Sequence, residues 1–578
     1  MLAFVLEGSR MFSLDVLVDG RNIFDGSDVV TVGALHGSFG ADVGEPSFRS
    51  HGRLFIGWRG SFNFFPSTCG PYASLVWAFS PFASLVWAFS LFASLKKSEL
   101  PYPCYTRSQN RMSWIAGTLE VASKVRYGLT TRGCPIFRFV PYDKRYAPFA
   151  VGSSIRDFST NVHAIIEPSE GNTSMPKGSI VQLLGAPSAR TEQTMLLMTY
   201  AYDSKKEFRT ILPYASSLSP VCSLASEGKI REEVTGFTFH IDPPGCKDVD
   251  DAFTFAREGD GWRVHIHIAD VDAWIKEDSP LDKQARKKAS TFYSTDGQAL
   301  APLFPPTISE ESASLLPGSK KPTLSLHFHW TPGSGPSDFV WACTTIQTQR
   351  SFTYDEADKE VGVVPELAAL RDLSKEIGEE FSATDSHTWV QALMILYNKA
   401  AGTLLRQKRI GILRRHSAKK MEKFQAIGLL SALPMAAAEY VMADEENVVH
   451  GGLGLEAYAY ASSPIRRYCD LVNQRILKHV LAGKEVQAPT KELVDELNRR
   501  QKQEKAFTRD LFFMGVLSSK DPVKGIAMSE KRVWIPAWKR AITVRNTALT
   551  VGTSYTITWY ENKQLPHWKD RIVFRAVP

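Results

Sequence analysis

The stretch TGFTFHIDPPGCKDVDDAFTF, residues 235–255, decides how the rest of the chain is read. FTFHI alternates apolar and polar side chains as a strand does, Pro243–Pro244–Gly245 breaks it with a turn, and AFTF opens a second strand. Between the two strands sit Asp242, Asp248, Asp250 and Asp251, with Lys247 the one cation nearby. Carboxylates this crowded repel one another unless they face water or share a cation. A solvated acidic turn is the bland account. It fits poorly here, because an apolar strand delivers the turn and a further strand pattern, WRVHIHIADVDAWI (262–275), follows at once. Hard oxygen donors of this kind suit Mg²⁺, with Mn²⁺ as the alternative. An EF-hand is disfavoured, since a loop starting at Asp248 lacks the required Gly at its sixth position and Glu at its twelfth.

The surrounding chain supplies a context for such a site. With 578 residues, 44% hydrophobic and 22% charged, it has enough material for several domains and is neither collagen-like, nor a disulfide scaffold, nor wholly disordered. The formal charge of +7 is unevenly spread: −10 across 235–400, but +6 across 101–150, +5 across 401–500 and +8 across 501–578. An acidic centre between basic flanks is the pattern of a polyanion-binding protein with a cation site inside it. The seven cysteines are scattered singly with no CxxC, which disfavours structural zinc and a disulfide framework and favours a reducing, intracellular setting. Cytoplasm, nucleus and mitochondrion all satisfy that condition.

Residues 1–100 read as an extension without catalytic content. ASLVWAFS recurs at 73–80 and 83–90, and 72–95 is uncharged, long enough for a membrane span by hydropathy. Its serines and central Pro81 argue against a span, so a membrane partner is not expected. Residues 101–234 alternate β-branched and aromatic residues between Gly and Pro, which predicts a small OB-like barrel of the cold-shock type. There Lys124, Arg126, Tyr127, Arg132, Lys144 and Arg145 interleave cations with rings, the mixture that holds phosphates and stacks bases of a single strand. A shorter basic run, 525–578, alternates in the same way and predicts a second OB-like barrel.

HIDPPGCKDVDDAF followed by VHIHIADVDAWI resembles the opening of the RNB catalytic domain of the RNase II and RNase R exoribonucleases. A second block, AYAYASSPIRRYCDLVNQRILKHVL (457–481), resembles that family's Tyr-x-x-x-[ST]-Ser-Pro-Ile-Arg-Arg-Tyr-x-Asp-Leu motif. SPLDKQARKKASTFYSTDGQALAPLFPPTISEESASLLPG (279–318) and SHTWVQALMILYNKAAGTLL (386–405) look like the family's intervening segments. The likeness runs from about 235 to 516, and YGLTTRGCPIFRFVPYDKRYAPFAVG ahead of it is most similar to the exosome-associated, Dis3-like branch. The resemblance implies an α+β RNB domain over 235–516, a mixed sheet with surrounding helices flanked by OB-like barrels. It implies Mg²⁺-dependent 3′-to-5′ hydrolysis of single-stranded RNA to nucleoside 5′-monophosphates, no small-molecule cofactor, and exosome-like subunits as partners.

Carried over by position, Asp242, Asp248, Asp250 and Asp251 would hold metal, with Asp250 the most important for catalysis, and Arg466 would contact the phosphate. Tyr293 would stack on a terminal nucleotide, and Arg467 would either touch RNA or serve as an ion-pair partner. Four departures stand out: Gln391 where a glutamate is common, Tyr460 in a run that usually holds a histidine, Gln474 for a customary histidine, and Thr508 where a glutamate is often found. They leave room for a rival, an RNA-binding scaffold of RNB fold with weak catalysis.

Overall fold

Phe237–Asp242 and Asp251–Glu258 are strands, as their alternation predicts, and pair antiparallel with Phe239 opposite Phe253. They belong to a mixed seven-stranded sheet. Its order is Arg350–Thr353, Phe237–Asp242, Asp251–Glu258, Gly261–Ala269, Lys321–Thr331, Gly335–Ile346 and Glu232–Glu233. The two edge strands run parallel to their neighbours; the inner pairings are antiparallel. The computed structural model describes residues 114–169, 175–201, 231–378, 384–417, 437–519, 521–545, 548–562, 565 and 568–577, plus the backbone of three short strands, Leu2–Glu7, Met11–Val18 and Arg21–Asn22. The chain separates into two compact units, Met1–Thr106 and Arg107–Pro578, and all that follows concerns the second. The repeat and uncharged run at 72–95 lie outside the described residues, among which no helix is long and apolar enough to cross a membrane.

The sheet has two different faces. On one, Phe239, Ile241, Phe253, Phe255, Val264, Ile266, Ile268, Leu324, Leu326 and Phe328 form an apolar layer against helices Pro365–Ile377 and Ser386–Lys408. Burial of side chains this large is the main source of stability, at about 1.5–3 kcal/mol each. The alternate positions are polar yet buried. Thr238 bonds Thr254 at 2.7 Å, Thr254 bonds His267 Nε2 at 2.8 Å, His267 Nδ1 bonds Ser325 at 2.6 Å, and Ser325 bonds Thr344 at 2.6 Å. This ladder satisfies groups that would otherwise be costly inside a protein. Of His265 and His267, which alternate on one strand and could pass for zinc ligands, His267 is a rung of it, while His265 packs its ring against His267 and His327 at 5.4 and 4.8 Å.

The long helix Ser386–Lys408 is started by a capping box between Asp385 and Thr388 and ends at Arg409 in the left-handed region. Gly402 lies where it crosses the segment leading into SSPIRRY; a Cβ there would come within 2.8 Å of Tyr458 Cα and Ala459 N. Only glycine permits that approach.

Ahead of the sheet, Ile115–Leu119, Ile136–Pro141, Phe149–Gly152, Lys177–Gly185 and Val162–Pro168 close into a five-stranded barrel around Leu119, Phe137, Phe139, Val151 and Ile166. After it, Arg540–Thr543, Arg532–Ile535, Val523–Ala527, Ser554–Glu561 and Ile572–Val577 form an antiparallel sheet in that order. The expected second barrel is thus a curled sheet among the described residues, its two edges meeting where Arg545 N donates to Phe574 O at 3.0 Å. Helix Lys491–Ser518 joins these parts: its buried Phe507 meets Tyr200, at the end of helix Ala189–Tyr200, and Phe292 edge-on. Buried Arg571 pairs with Glu192 of the barrel helix at 2.6 Å, and Tyr200 donates to Asp510 at 2.9 Å.

The polar face has a pH consequence. Burial, reinforced by His327 and Arg263, pushes the His265 imidazole down to about 3. The unfolded chain therefore takes up this proton first, so stability is complete above about pH 6.5 and drains as pH falls toward 3. We expect the stability gap between His265→Gln and wild type to shift by about 2 kcal/mol in the variant's favour between pH 7 and pH 5, measured by urea denaturation.

Candidate active site

The strand Phe237–Asp242 ends at Asp242, and the next begins at Asp251, so the turn between them is held at one end of the sheet. Asp242, Asp248, Asp250 and Asp251 all line a cavity of about 1040 Å³, together with Tyr293 and Arg466. Three of the four carboxylates meet a different neighbour each. Asp242 bonds His240 Nδ1 at 2.8 Å, and His240 Nε2 in turn reaches Ser351 at 2.7 Å. Asp248 accepts the Tyr293 hydroxyl at 2.5 Å. Asp250, only 4% exposed, accepts the Ile465 amide at 2.8 Å and Arg466 Nε at 3.1 Å. Residues more than two hundred positions apart in sequence are thereby joined.

The electrostatics show a deficit of positive charge. Burial raises the Asp250 carboxyl to about 7, opposed by Arg466 and the Ile465 amide and assisted by Asp248. Asp251 is pushed well above the usual carboxylate range, first by desolvation and then by the charges of Asp242 and Asp250. Burial, then Asp248, raises the Tyr293 phenol, keeping it a hydrogen-bond donor. A cation would relieve this strain, and four carboxylates are the donor set a hard divalent ion prefers. Among the described residues, however, no three His, Cys, Asp or Glu side chains converge as they stand on a point that could hold a metal. The donor chemistry fits; the carboxylates are turned toward Tyr293, His240 and Arg466.

The SSPIRRY segment is set by Asp470. Its carboxylate accepts the Ser463 amide at 2.8 Å and a fork from Arg467 at 2.9 and 2.7 Å. Helix Tyr468–Leu481 starts directly after, with Asp470 in its first turn where the helix dipole favours an anion. Arg466 donates to the Ser463 hydroxyl at 3.0 Å, and its side chain is 44% exposed toward the cavity. Arg467 lines the cavity too, but both its Nε and Nη2 are spent on Asp470.

Behind the cavity lies a buried charge lattice that sequence reasoning missed. Lys478 binds Asp270 at 2.9 Å and Asp272 at 2.8 Å; Arg475 binds Asp272 at 2.8 Å and Asp282 at 2.7 Å; Arg231 also pairs with Asp270. Gln474 joins it, donating to Ala269 O at 2.8 Å and accepting from Asp272 N at 3.3 Å. The lattice ties the helix that follows Arg466 to the strand Gly261–Ala269, whose last amide donates to Asp250 O at 2.9 Å. The available signal was that Gln474, Arg475 and Lys478 interrupt the apolar face of an otherwise amphipathic helix. Of the other departures, Gln391 and Tyr460 line the cavity, whereas Thr508 does not and returns its hydroxyl to Glu504 O at 3.1 Å.

The barrel residues singled out for RNA lie outside the cavity lining. Lys124, Arg126, Tyr127 and Arg132 are exposed on the hairpin around 121–136. Arg126 rests on Phe137 and Phe158 at 4.6 and 5.1 Å. Lys144 is paired with Asp570 at 3.0 Å and Arg145 with Asp143 at 2.6 Å, so these two charges are already answered within the chain.

Residues 231–379 and 371–483 match the RNB domain. Over that stretch the chain carries an RNB domain. Exoribonuclease 2 of Aeromonas hydrophila is 27% identical over 349 residues, covering 47% of this chain and 52% of that protein. Exoribonuclease 2 of Yersinia pseudotuberculosis is 26% identical over 359 residues, covering 49% and 55%. The chain thus spans about half the length of the curated relatives it matches. Mycoplasma genitalium RNase R, solved with ribose-methylated single-stranded RNA, superposes with a TM-score of 0.65 at 15% identity, over 81% of this chain and 90% of that one. Yeast Ssd1, a pseudonuclease, superposes with a TM-score of 0.58 at 17% identity, over 79% and 69%. These structural likenesses share the fold.

Removing one member of the buried lattice leaves an uncompensated charge in the interior. Lys478→Met should cost about 3–5 kcal/mol of folding stability, read as a lowered urea midpoint, with Lys478→Arg intermediate.

Proposed function

We propose that this protein is a metal-dependent 3′-to-5′ exoribonuclease that hydrolyses single-stranded RNA to nucleoside 5′-monophosphates. The observation that carries the reading is that Asp242, Asp248, Asp250 and Asp251 line one cavity with Arg466, with the Asp250–Ile465 and Asp250–Arg466 contacts joining the two motif blocks. Direction and products rest on the likeness to RNB enzymes. Mg²⁺, or Mn²⁺ in its place, would be held by the four aspartates and would supply charge neutralisation and an acidified water.

The chain's own groups do the rest. Arg466 presents a half-exposed guanidinium whose planar fork suits a phosphate, and it would stabilise charge building on the phosphoryl oxygens. Tyr293 would place its ring against a terminal base; stacking tolerates any base, as a sequence-indifferent degrader requires. The exposed cations and ring of the 121–136 hairpin would draw the strand toward the core.

A second reading, RNA binding without turnover, is favoured by the engagement of Asp250 with Arg466 and by the absence of a converged acidic trio among the described residues. A gel assay with 5′-labelled single-stranded RNA separates the two. Wild type with Mg²⁺ should shorten the RNA from its 3′ end, EDTA should stop it, Asp250→Asn should leave RNA intact, and Arg466→Met should lower the rate about 10²–10³-fold. RNA left intact by wild type, as by Asp250→Asn, selects the non-catalytic reading.

A further inference from the structure

Tyr460 faces the same cavity as Arg466 and Arg467, and its ring lies against two guanidinium groups. The Arg467 Cζ is 4.1 Å from the ring centroid and the Arg414 Cζ 4.7 Å. Tyr440 and Tyr458 meet the same ring edge-on at 6.2 and 6.0 Å, and Arg414 also rests on Tyr440 at 4.3 Å. The ring cannot swing away without giving up two cation contacts and two edge contacts.

Both cations are anchored beyond the ring. Arg414 donates to Ala438 O at 3.0 Å. Arg467 forks onto Asp470, which accepts the Ser463 amide, and the Ser463 hydroxyl accepts Arg466 Nη2. An unbroken line of contacts therefore runs from Tyr460 through Arg467, Asp470 and Ser463 to Arg466. Arg414 and Arg467 are like charges packed against the same ring. A neutral ring whose face attracts cations lets two of them pack closely; an aliphatic side chain would fill the space and attract neither.

We propose that Tyr460 is a positioning residue, whose ring clamps Arg467 onto Asp470 and so fixes the Ser463 turn from which Arg466 meets the phosphate. The inference rests on the exoribonuclease reading and uses the ring face alone; the hydroxyl has no part in it. It gives a role to a residue that departs from the usual pattern of the RNB motif.

The test compares full-length wild type, Tyr460→Phe, Tyr460→Leu, Arg467→Met and the Leu/Met double variant. It uses single-turnover cleavage of a fluorescein-labelled oligouridine with Mg²⁺, and anisotropy binding of the same RNA in EDTA. Tyr460→Leu should cleave about tenfold more slowly with its Kd within about twofold of wild type, and Tyr460→Phe should stay within about twofold on both. The double variant should be no slower than Arg467→Met, because both substitutions break one line of contacts. Tyr460→Met takes the place of the leucine variant if that one does not fold. The inference is overturned if Tyr460→Leu cleaves like wild type, if Tyr460→Phe is as slow as leucine, or if RNA affinity falls as far as the rate. Wild type that leaves RNA intact overturns the exoribonuclease reading and this inference with it, whereas active wild type with an equally active leucine variant overturns this inference alone.

Discussion

The Asp250 carboxylate is the constraint on which the site depends. It is almost fully buried, it accepts a backbone amide from Ile465 and a guanidinium from Arg466, and it sits beside three more acids. A buried anion needs such partners or it protonates. Here the partners come from the far end of the domain, so the contact fixes where the SSPIRRY turn must lie relative to the aspartate turn. The sheet positions one side through strand pairing and the Ala269–Asp250 backbone bond. The lattice of Asp270, Asp272, Asp282, Arg475 and Lys478 positions the other, tying the helix after Arg466 to the strand before the lattice aspartates. Such ionic groups contribute little net stability compared with an apolar replacement, but they punish misplacement, which suits a device that holds register.

Much of this was legible in the sequence, for identifiable reasons. FTFHID and DAFTFARE are strands because alternation places Phe239 and Phe253 on one face, and that periodicity survives without any tertiary information. The barrel followed from short alternating runs between Gly and Pro. The two motif blocks, far apart in sequence, bring the four aspartates and Arg466 to one cavity. What sequence could not give was pairing. Nothing in a one-dimensional pattern says that Lys478 meets Asp270 or that His240 braces Asp242, since those contacts depend on how the helix crosses the sheet. The same limit applies to Lys144 and Arg145, whose interleaving with rings reads as a nucleic-acid surface and whose ion pairs with Asp570 and Asp143 no sequence pattern announces. The alternation of the C-terminal run suggests a barrel; how its edges meet, through Arg545 N to Phe574 O, is a tertiary detail.

The departures from the RNB pattern divide physically. Gln474 is a hydrogen-bonding member of the buried lattice, and its neutral amide serves both an acceptor at Ala269 and a donor at Asp272. Tyr460 stands in a wall of rings and guanidinium groups, where the shape and quadrupole of its ring set the contacts. Thr508 lies off the cavity with its hydroxyl turned back on its own helix, and Gln391 remains on the cavity wall, exposed. The acidic cluster itself is intact. The account therefore turns on whether that cluster, with Asp251 and Asp250 driven up by burial and mutual repulsion, is a cation site.

Titration of the full chain with Mn²⁺, followed by the electron paramagnetic resonance signal of the free ion, tests this most directly, because it needs neither RNA nor turnover. The account predicts saturable loss of the free-ion signal with wild type, competed by Mg²⁺ and lost or markedly weakened in Asp251→Asn. A folded wild-type protein that leaves all the Mn²⁺ free, or that binds it no better than Asp251→Asn does, would contradict it.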